Sequence, residues 1–391
     1  MVMWKIAFMI MPAIPFAAWC VALLTAVRPL RMGRAASLFM ALALAAAFAK
    51  FVFFAIAGGN SFNPDLPQIA IRAYGGAYAI AMIFTMFAAS AAAIDGVLRL
   101  CRHPVHLRTK RIRTAILAGL ASATALWGMY EGLCIPSVRR VEIAYRDLPP
   151  AFDGYRIVHL SDLHCSTAAR RRRFEQIVGR VNALDADLIA ITGDFVDGSV
   201  QDRCDDLAPL AGLRARDGVV CCTGNHEVYS GWESWRPVFH GWGFDFPEES
   251  GVRLIRRGGH VLAVGGLPDP MFNGWGMSVE SVGPASDAFA GAPDGAFRIL
   301  LFHRPFTAAV NAAEADVRLQ LSGHTHGGAM PLIDRLVAYT NEGRTRGLYG
   351  FADDRFIHVS PGTGQWAGFP LRLFNPAEIS EIVLRADPGR R

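Results

Sequence analysis

The stretch Arg-Ile-Val-His-Leu-Ser-Asp-Leu-His at residues 156–164 indicates the fold of the second part of this chain. Its first five residues favour a short β-strand, and Ser161, Asp162 and His164 follow directly. Further short apolar runs alternate with helical patterns downstream, which is typical of an α/β sheet domain. Strands are predicted at 156–160, 188–192, 219–223, 260–265, 298–302, 317–321 and 355–359, and helices at 170–184, 232–242 and 305–314.

Four more of these strands end in polar residues of the same kinds. They run into Gly193-Asp194-Phe195-Val196-Asp197, Gly224-Asn225-His226-Glu227, His303-Arg304-Pro305 and Ser322-Gly323-His324-Thr325-His326-Gly327-Gly328. In an α/β sheet, ligands bind at the carboxyl ends of the strands. We therefore expect the five loops to meet at one site.

The residue types in these loops predict a metal site. Asp, His and Asn without a thiolate suit Mn, Fe, Zn or similar divalent ions. Asp162 and His164 are two residues apart, as are His324 and His326, and in extended backbone both members of such a pair project to the same side. Two ions that share a carboxylate would use all seven candidate ligands, whereas one ion would not. The candidates are Asp162, His164, Asp194, Asn225, His303, His324 and His326.

With these motifs, residues 155–364 resemble the calcineurin-like metallophosphoesterase superfamily, and in particular its bacterial membrane-attached branch. The resemblance implies a sandwich of two β-sheets flanked by helices, with a two-metal site along one edge. It implies that the first metal is bound by Asp162, His164 and His326, and the second by Asn225, His303 and His324. Asp194 would bridge the two ions, and His226 would contact the scissile phosphate and act as the acid.

General chemistry is consistent with these roles. Two dications lower the pKa of a bridging water enough to supply hydroxide, and they neutralise charge that builds on phosphate. A histidine with an ordinary pKa near ~6.5 is a suitable donor to the leaving oxygen. Either Asp197 or Glu227 could orient that histidine, and both could equally be solvated loop residues. Arg304 could contact substrate phosphate or lie on the surface.

The first 134 residues have a different character. Apolar residues make up 52% of the chain and charged residues 19%, which excludes a disordered or fibrous protein. Four apolar stretches, at 6–27, 35–59, 74–98 and 114–134, are each near the ~20 residues that cross a bilayer as a helix. This part carries 12 basic and 3 acidic residues, for +9, and the remainder carries 27 and 31, for −4. The net +5 therefore reflects membrane topology, and we expect no nucleic-acid partner.

Loop charges predict the orientation, because Arg and Lys stay on the cytoplasmic side. The loops after the first and third stretches are rich in arginine, whereas residues 60–68 contain no basic residue. The part after Cys134 is then extracytoplasmic, on the periplasmic side of a bacterial inner membrane. The predicted organisation is a four-helix anchor at 1–134, a linker and edge strand at 135–150, and the metallophosphoesterase domain at 151–391.

The sequence therefore predicts a membrane-anchored, two-metal hydrolase of phosphomonoesters or phosphodiesters. One alternative is a lipid-specific phosphoesterase or pyrophosphatase that acts on a membrane substrate. Another is a membrane sensor that binds metal without catalysis, although the complete ligand set argues against it. The run Arg170 to Arg173 could bind anionic headgroups or be a solvated helix face.

Overall fold

The computed structural model describes residues 15–58, 64–273, 282–307, 311–366 and 371–387. The chain divides into two compact units. One comprises Met1–Gly132 with Ala367–Leu373, and the other comprises Leu133–Trp366 with Phe374–Arg391.

The first unit is helical, and its apolar helices match the predicted apolar stretches in part. Its helices are α1 (Pro15–Leu30), α2 (Arg34–Phe48), α3 (Lys50–Gly58), α4 (Gln68–Leu100) and α5 (Leu107–Leu133). Of these described helices, α4 and α5 are long and apolar enough to cross a membrane, and α2 with α3 makes a third span if this pair, bent by 61°, is counted as one. Residues 6–14 of the predicted first span at 6–27 lie outside the described residues, and the rest falls in α1, which is apolar but shorter than the helices counted as spans.

An ion-pair cluster joins α4 to α5 inside this unit. Asp95 of α4 accepts hydrogen bonds from Nη1 and Nη2 of Arg113 at 2.6 and 2.8 Å, and Nζ of Lys110 lies 3.4 Å from the same carboxylate. Asp95 is buried. Because a bidentate arginine satisfies both oxygens, the charge is tolerated inside an apolar helix pair.

The second unit contains two six-stranded sheets. Its strands are β1 (Ser137–Tyr145), β2 (Arg156–Leu160), β3 (Leu188–Thr192), β4 (Val219–Cys222), β5 (Phe244–Asp245), β6 (Arg253–Arg257), β7 (His260–Leu267), β8 (Phe297–Phe302), β9 (Val317–Ser322), β10 (Gly347–Ala352), β11 (Arg355–Val359) and β12 (Glu378–Ala386). The sheet orders are β1-β12-β2-β3-β4-β5 and β10-β11-β9-β8-β7-β6. Within them, β2, β3 and β4 run parallel, as do β7, β8 and β9.

Helices of the second unit pack mainly on the first sheet. They are α6 (Arg171–Asn182), α7 (Val200–Leu207), α8 (Asn225–Ser230), α9 (Trp232–Gly241), α10 (Pro247–Ser250) and α11 (Ile333–Tyr339). Phe174 of α6 and Trp235 of α9 are buried with Ile189 of β3 in one hydrophobic cluster. A second cluster contains residues from both sheets, including Ile157 and Leu301. The two sheets therefore share a core.

All seven predicted strands are present, within a residue or two at their ends. The predicted helix at 305–314 is wrong: residues 305–307 are not helical, residues 311–314 form turns, and 308–310 lie outside the described residues. Asn311 has a left-handed backbone, with φ of 52°, which is incompatible with a continuous helix. Strand β12 was not predicted, and it lies between β1 and β2, parallel to the former and antiparallel to the latter.

Two arginines of α6 bind the main chain at the start of this unit. Arg173 Nη1 donates to the carbonyl of Leu133 at 2.9 Å, and Arg180 Nη1 donates to that of Pro136 at 2.8 Å. Arg171 pairs with Glu175 on the helix surface at 2.8 Å. Within the basic run Arg170 to Arg173, Arg171 and Arg173 therefore make contacts within the chain. The run is neither an entirely solvated helix face nor entirely available to bind anionic ligands.

Candidate metal centre

The five polar loops follow β2, β3, β4, β8 and β9, and their backbones turn sharply. Five of the eight candidate site residues have left-handed backbone, with φ between 46° and 69°: Asp162, His164, Asp194, His324 and His326. The expectation of extended backbone for the two spaced pairs is therefore wrong. Such conformations cost about 1–3 kcal/mol each and persist only where neighbouring contacts impose them. Here His164 N–H donates to the Asp194 carbonyl, and His324 N–H to the Asp162 carboxylate.

Asp194 lies at the centre of the cluster. Its Oδ2 is 3.3 Å from His303 Nε2, 3.7 Å from His164 Nε2 and 4.0 Å from His226 Nε2. Asp194, His164 and His303 are buried, and they come from loops after β3, β2 and β8. A carboxylate with histidines on several sides has the position that a bridging ligand requires.

Histidines on either side of this centre complete two further groups. His326 Nε2 lies 3.6 Å from Asp162 Oδ1 and 3.1 Å from His164 Nε2. His324 Nδ1 lies 3.2 Å from His303 Nε2. Three groups of candidate ligand atoms result, and within each group all the atoms lie within 4.8 Å of one another. The groups are Asp162, His164 and His326; His164, Asp194 and His226; and Asp194, His303 and His324.

Asn225 supplies a test of whether this cluster fits a metal. Its Oδ1 is buried, and among the described residues it has no hydrogen-bond partner. A buried amide oxygen without a partner is costly unless something absent from the chain binds it. The backbone N–H of its neighbour His226 donates to Asp194 Oδ1 at 2.9 Å, so Asn225 adjoins the cluster. Carboxylate, imidazole and amide donors with one unsatisfied oxygen fit divalent ions.

Outer hydrogen bonds orient several of these histidines. Asp197 Oδ1 lies 2.5 Å from His226 Nδ1 and 3.2 Å from His164 Nδ1, and the carbonyl of Thr192 accepts from His303 Nδ1 at 2.7 Å. Each contact engages one ring nitrogen and directs the other towards the cluster. Of the two residues proposed to orient His226, Asp197 makes the contact. Its second contact, to His164, and the role of Thr192 were not predicted, because nothing local in sequence links them.

Glu227 has a different function. Its carboxylate accepts the backbone N–H groups of Asp194 and Phe195 at 2.8 Å and of Gly224 at 2.7 Å. Burial raises the pKa of Glu227 to about 7, with Asp194 adding to the shift. Glu227 therefore joins the loops after β3 and β4 instead of orienting His226.

The carboxylates dominate the electrostatics of the metal-free site. Burial alone would lower the pKa of His226, but Asp194 and Asp197 outweigh it and raise that pKa to about 9. At His303, burial likewise acts to lower the pKa, but Asp194 outweighs burial and raises the pKa to about 10. In return, His303 and His226 overcome the burial of Asp194 and hold its pKa well below the ordinary value. The site therefore stabilises concentrated positive charge, as bound cations require.

Two glycines allow the loops to approach this closely. A Cβ at Gly323 would overlap Ser161 Oγ, and a Cβ at Gly224 would overlap Asp194 Oδ1. Gly364, which comes after β11, donates its N–H to the Asp162 carbonyl at 3.0 Å. These positions explain why small residues flank the candidate ligands.

Arg304 is neither exposed nor free. It is buried and makes a bidentate ion pair with buried Asp269, from Nε to Oδ2 at 2.7 Å and from Nη2 to Oδ1 at 3.0 Å. The suggestion of a surface position is therefore wrong. Asp269 lies 35 residues away in sequence, and no motif identified it as the partner.

Fold and site together define an α/β protein with a buried His, Asp and Asn cluster suited to divalent metal ions. Residues 155–328 match the family model described as calcineurin-like phosphoesterase. The chain therefore contains a calcineurin-like metallophosphoesterase domain, as the motifs predicted.

Relatives extend this similarity beyond the domain. The chain is 33% identical over 295 residues to a transmembrane protein with metallophosphoesterase domain from Bos taurus, which covers 72% of this chain and 64% of that protein. It is 29% identical to a metallophosphoesterase of Helicobacter pylori, covering 72% and 73%, and 28% identical to YkuE, a metallophosphoesterase of Bacillus subtilis, covering 70% and 94%. The chain spans less than two thirds of the Bos taurus relative. The apolar helices and the transmembrane relative support association with a membrane.

Proposed function

We propose that this protein is a membrane-attached hydrolase of phosphomonoesters or phosphodiesters that uses two divalent metal ions. The observation that carries the proposal is Asp194, a buried carboxylate with His164, His226 and His303 within 4.0 Å. The proposed ligand sets are those that the resemblance implies: Asp162, His164 and His326 for one ion, and Asn225, His303 and His324 for the other, with Asp194 shared.

When bound, the ions would activate water and neutralise developing phosphate charge. The chain's own contribution is to position and to transfer protons. His164 and His303 present Nε2 to the site because Asp197 and the Thr192 carbonyl engage Nδ1. His226 holds a proton on Nδ1 towards Asp197, and Nε2 faces the site, where it can donate a proton to the leaving oxygen.

Aromatic residues adjoin the proposed acid. The ring of Tyr229 lies 5.1 Å from that of His226, and the ring of Trp366 lies 6.3 Å from it. Tyr229 is 47% exposed. Their proximity to His226 suits them to contact the leaving group that this histidine would protonate.

A lipid phosphoester is the second candidate substrate class, and it is favoured by the apolar helices in the same chain. Two described helices, α4 and α5, are long enough to cross a bilayer. A membrane-attached site encounters lipid phosphates at high local concentration.

The remaining predictions about organisation are part of this proposal. We propose four spans in 1–134, a linker and edge strand at 135–150, and a catalytic domain at 151–391. The two sheets would pack as a sandwich, a view supported by their shared buried cluster.

Loop charges favour an extracytoplasmic catalytic domain. An alkaline phosphatase reporter fused at the C-terminus should be active in a bacterial host. If only a reporter that works in the cytoplasm were active when fused at the C-terminus, this orientation would be rejected.

Metal analysis of the purified full chain in detergent tests the proposed function. We expect about two divalent ions per chain and hydrolysis of at least one generic phosphoester, because the seven candidate ligands exceed what one ion requires. Chelation should abolish turnover, and readdition of Mn²⁺, Fe²⁺ or Zn²⁺ should restore it. Turnover that persists in the chelated, metal-free protein would contradict the proposal.

A further inference from the structure

Helix α11 exposes apolar side chains directly after the last ligand motif. It has seven residues, five of them apolar, and none is buried. Leu332, Leu336 and Tyr339 are 66%, 63% and 87% exposed. A short helix that buries no apolar face gains little stability from its own chain, so this one is suited to an apolar environment outside it.

Phe374 is a further exposed apolar residue near the same motif. It is 72% exposed, and the adjacent Asn375 donates from Nδ2 to the His326 carbonyl at 2.5 Å. Asp334 of α11 lies so close to Gly328 that a Cβ on that glycine would overlap it. Both α11 and the segment at 374–375 therefore adjoin the turn at 326–328. We refer to Leu332, Leu336, Tyr339 and Phe374 as the apolar rim.

The rim is a concentration of exposed apolar surface, not a scattering of single residues. Seven large apolar side chains after residue 136 are more than a third exposed among the described residues, and five of them lie at 332–348 or 374. Exposed apolar surface concentrated beside a site indicates contact with another molecule or a membrane, whereas isolated exposed side chains do not.

Cations border the rim. Arg335 is exposed on α11, and Arg346 is exposed beside Phe374, where its Nη1 donates to the Phe374 carbonyl at 2.8 Å and to Asn375 Oδ1 at 2.7 Å. Leu, Phe and Tyr flanked by Arg are the composition of segments that lie at a membrane interface, with apolar groups among acyl chains and cations near phosphates. The same chain carries apolar helices long enough to span a bilayer, which favours a membrane as the contact.

We propose that the apolar rim enters the interfacial region of the bilayer and presents the turn at 326–328 to lipid phosphoesters. This inference rests on the proposed function for its substrate class, lipid phosphate esters, but not for its membrane contact. A protein partner or a second copy of the chain on the same surface would shield the rim from lipid.

Photolabelling tests the contact without reference to catalysis. The full chain is reconstituted in nanodiscs of phosphatidylcholine and phosphatidylglycerol that include phosphatidylcholine with an acyl-chain diazirine. After illumination, mass spectrometry should find lipid adducts on 332–339 or Phe374 as well as on α4 and α5. Adducts on α4 and α5 with none on the rim would overturn the proposal, because labelling of those helices shows that the probe reacted.

Paired variants test the role of the rim in lipid turnover. Leu336→Ser with Tyr339→Ser should reduce rim adducts and hydrolysis of a vesicle-borne phosphatidyl ester about tenfold, because the apolar contact is lost. Hydrolysis of water-soluble bis(4-nitrophenyl) phosphate should stay within about twofold. The control Leu336→Met with Tyr339→Phe keeps the apolar surface and should retain both. An equal loss on both substrates in the serine variant would contradict a role of the apolar rim in lipid turnover. A chain that is inactive on every substrate would contradict the proposed function, but the labelling result would remain valid.

Discussion

Asp194→Asn is expected to reduce phosphoester hydrolysis by about 10³-fold and to lower the bound metal below two ions per chain. The substitution keeps an oxygen that can accept the His226 N–H but removes the charge that His164, His226 and His303 surround. Shared coordination by a charged oxygen supplies several kcal/mol of transition-state stabilisation, and each ~1.4 kcal/mol is tenfold in rate. Steady-state kinetics and metal analysis of the same preparation measure both effects.

A matched control separates this effect from general damage. Asp187 is also a buried aspartate, but it pairs with Arg216 and Arg257 away from the cluster, at 3.3 and 3.1 Å. Asp187→Asn should leave metal content unchanged even if it lowers thermal stability. Full activity and two ions in the Asp194 variant would contradict the assignment of Asp194 as the shared ligand.

His226→Gln is expected to slow hydrolysis of alkyl phosphoesters by about 10²–10⁴-fold, the usual contribution of a general acid. Esters of 4-nitrophenol should lose much less, because 4-nitrophenolate departs without a proton. The kinetic ratio between the two substrates measures the role of the acid. His240→Gln is the control, since His240 pairs with Glu249 on the surface at 3.0 Å. An equal loss on both ester types would show that His226 holds structure or metal instead of donating a proton.

The same role has a pH signature. Carboxylates raise the pKa of His226 to about 9 in the metal-free chain, so they favour its protonated form, which is lost as pH rises through the pKa. Asp197→Asn removes one of the two carboxylates responsible. The alkaline limb of the rate on alkyl esters should therefore move to lower pH in this variant, together with a loss in rate of about 10–100-fold.

Strand positions and candidate ligands were accessible from sequence because both are local patterns. Apolar runs such as 188–192 are of strand length, and each polar motif begins where a run ends, so parallel order brings the motifs to one edge. Local backbone geometry was less accessible. Asp162 and His326 leave their strands in left-handed conformations, which depend on hydrogen bonds from other loops.

The amino-acid sequence by itself determined the division between an apolar, basic first part and a sheet domain, and it determined which residue types gather at the strand ends. Only the tertiary structure decided their partners: Asp197 binds both His164 and His226, and Asp269 holds Arg304. It also placed exposed α11 and the segment at 374–375 beside the turn at 326–328. The reason is physical, since periodicity and spacing report contacts within a few residues, whereas these pairs are separated by 29 to 49 residues and meet only when the loops pack together.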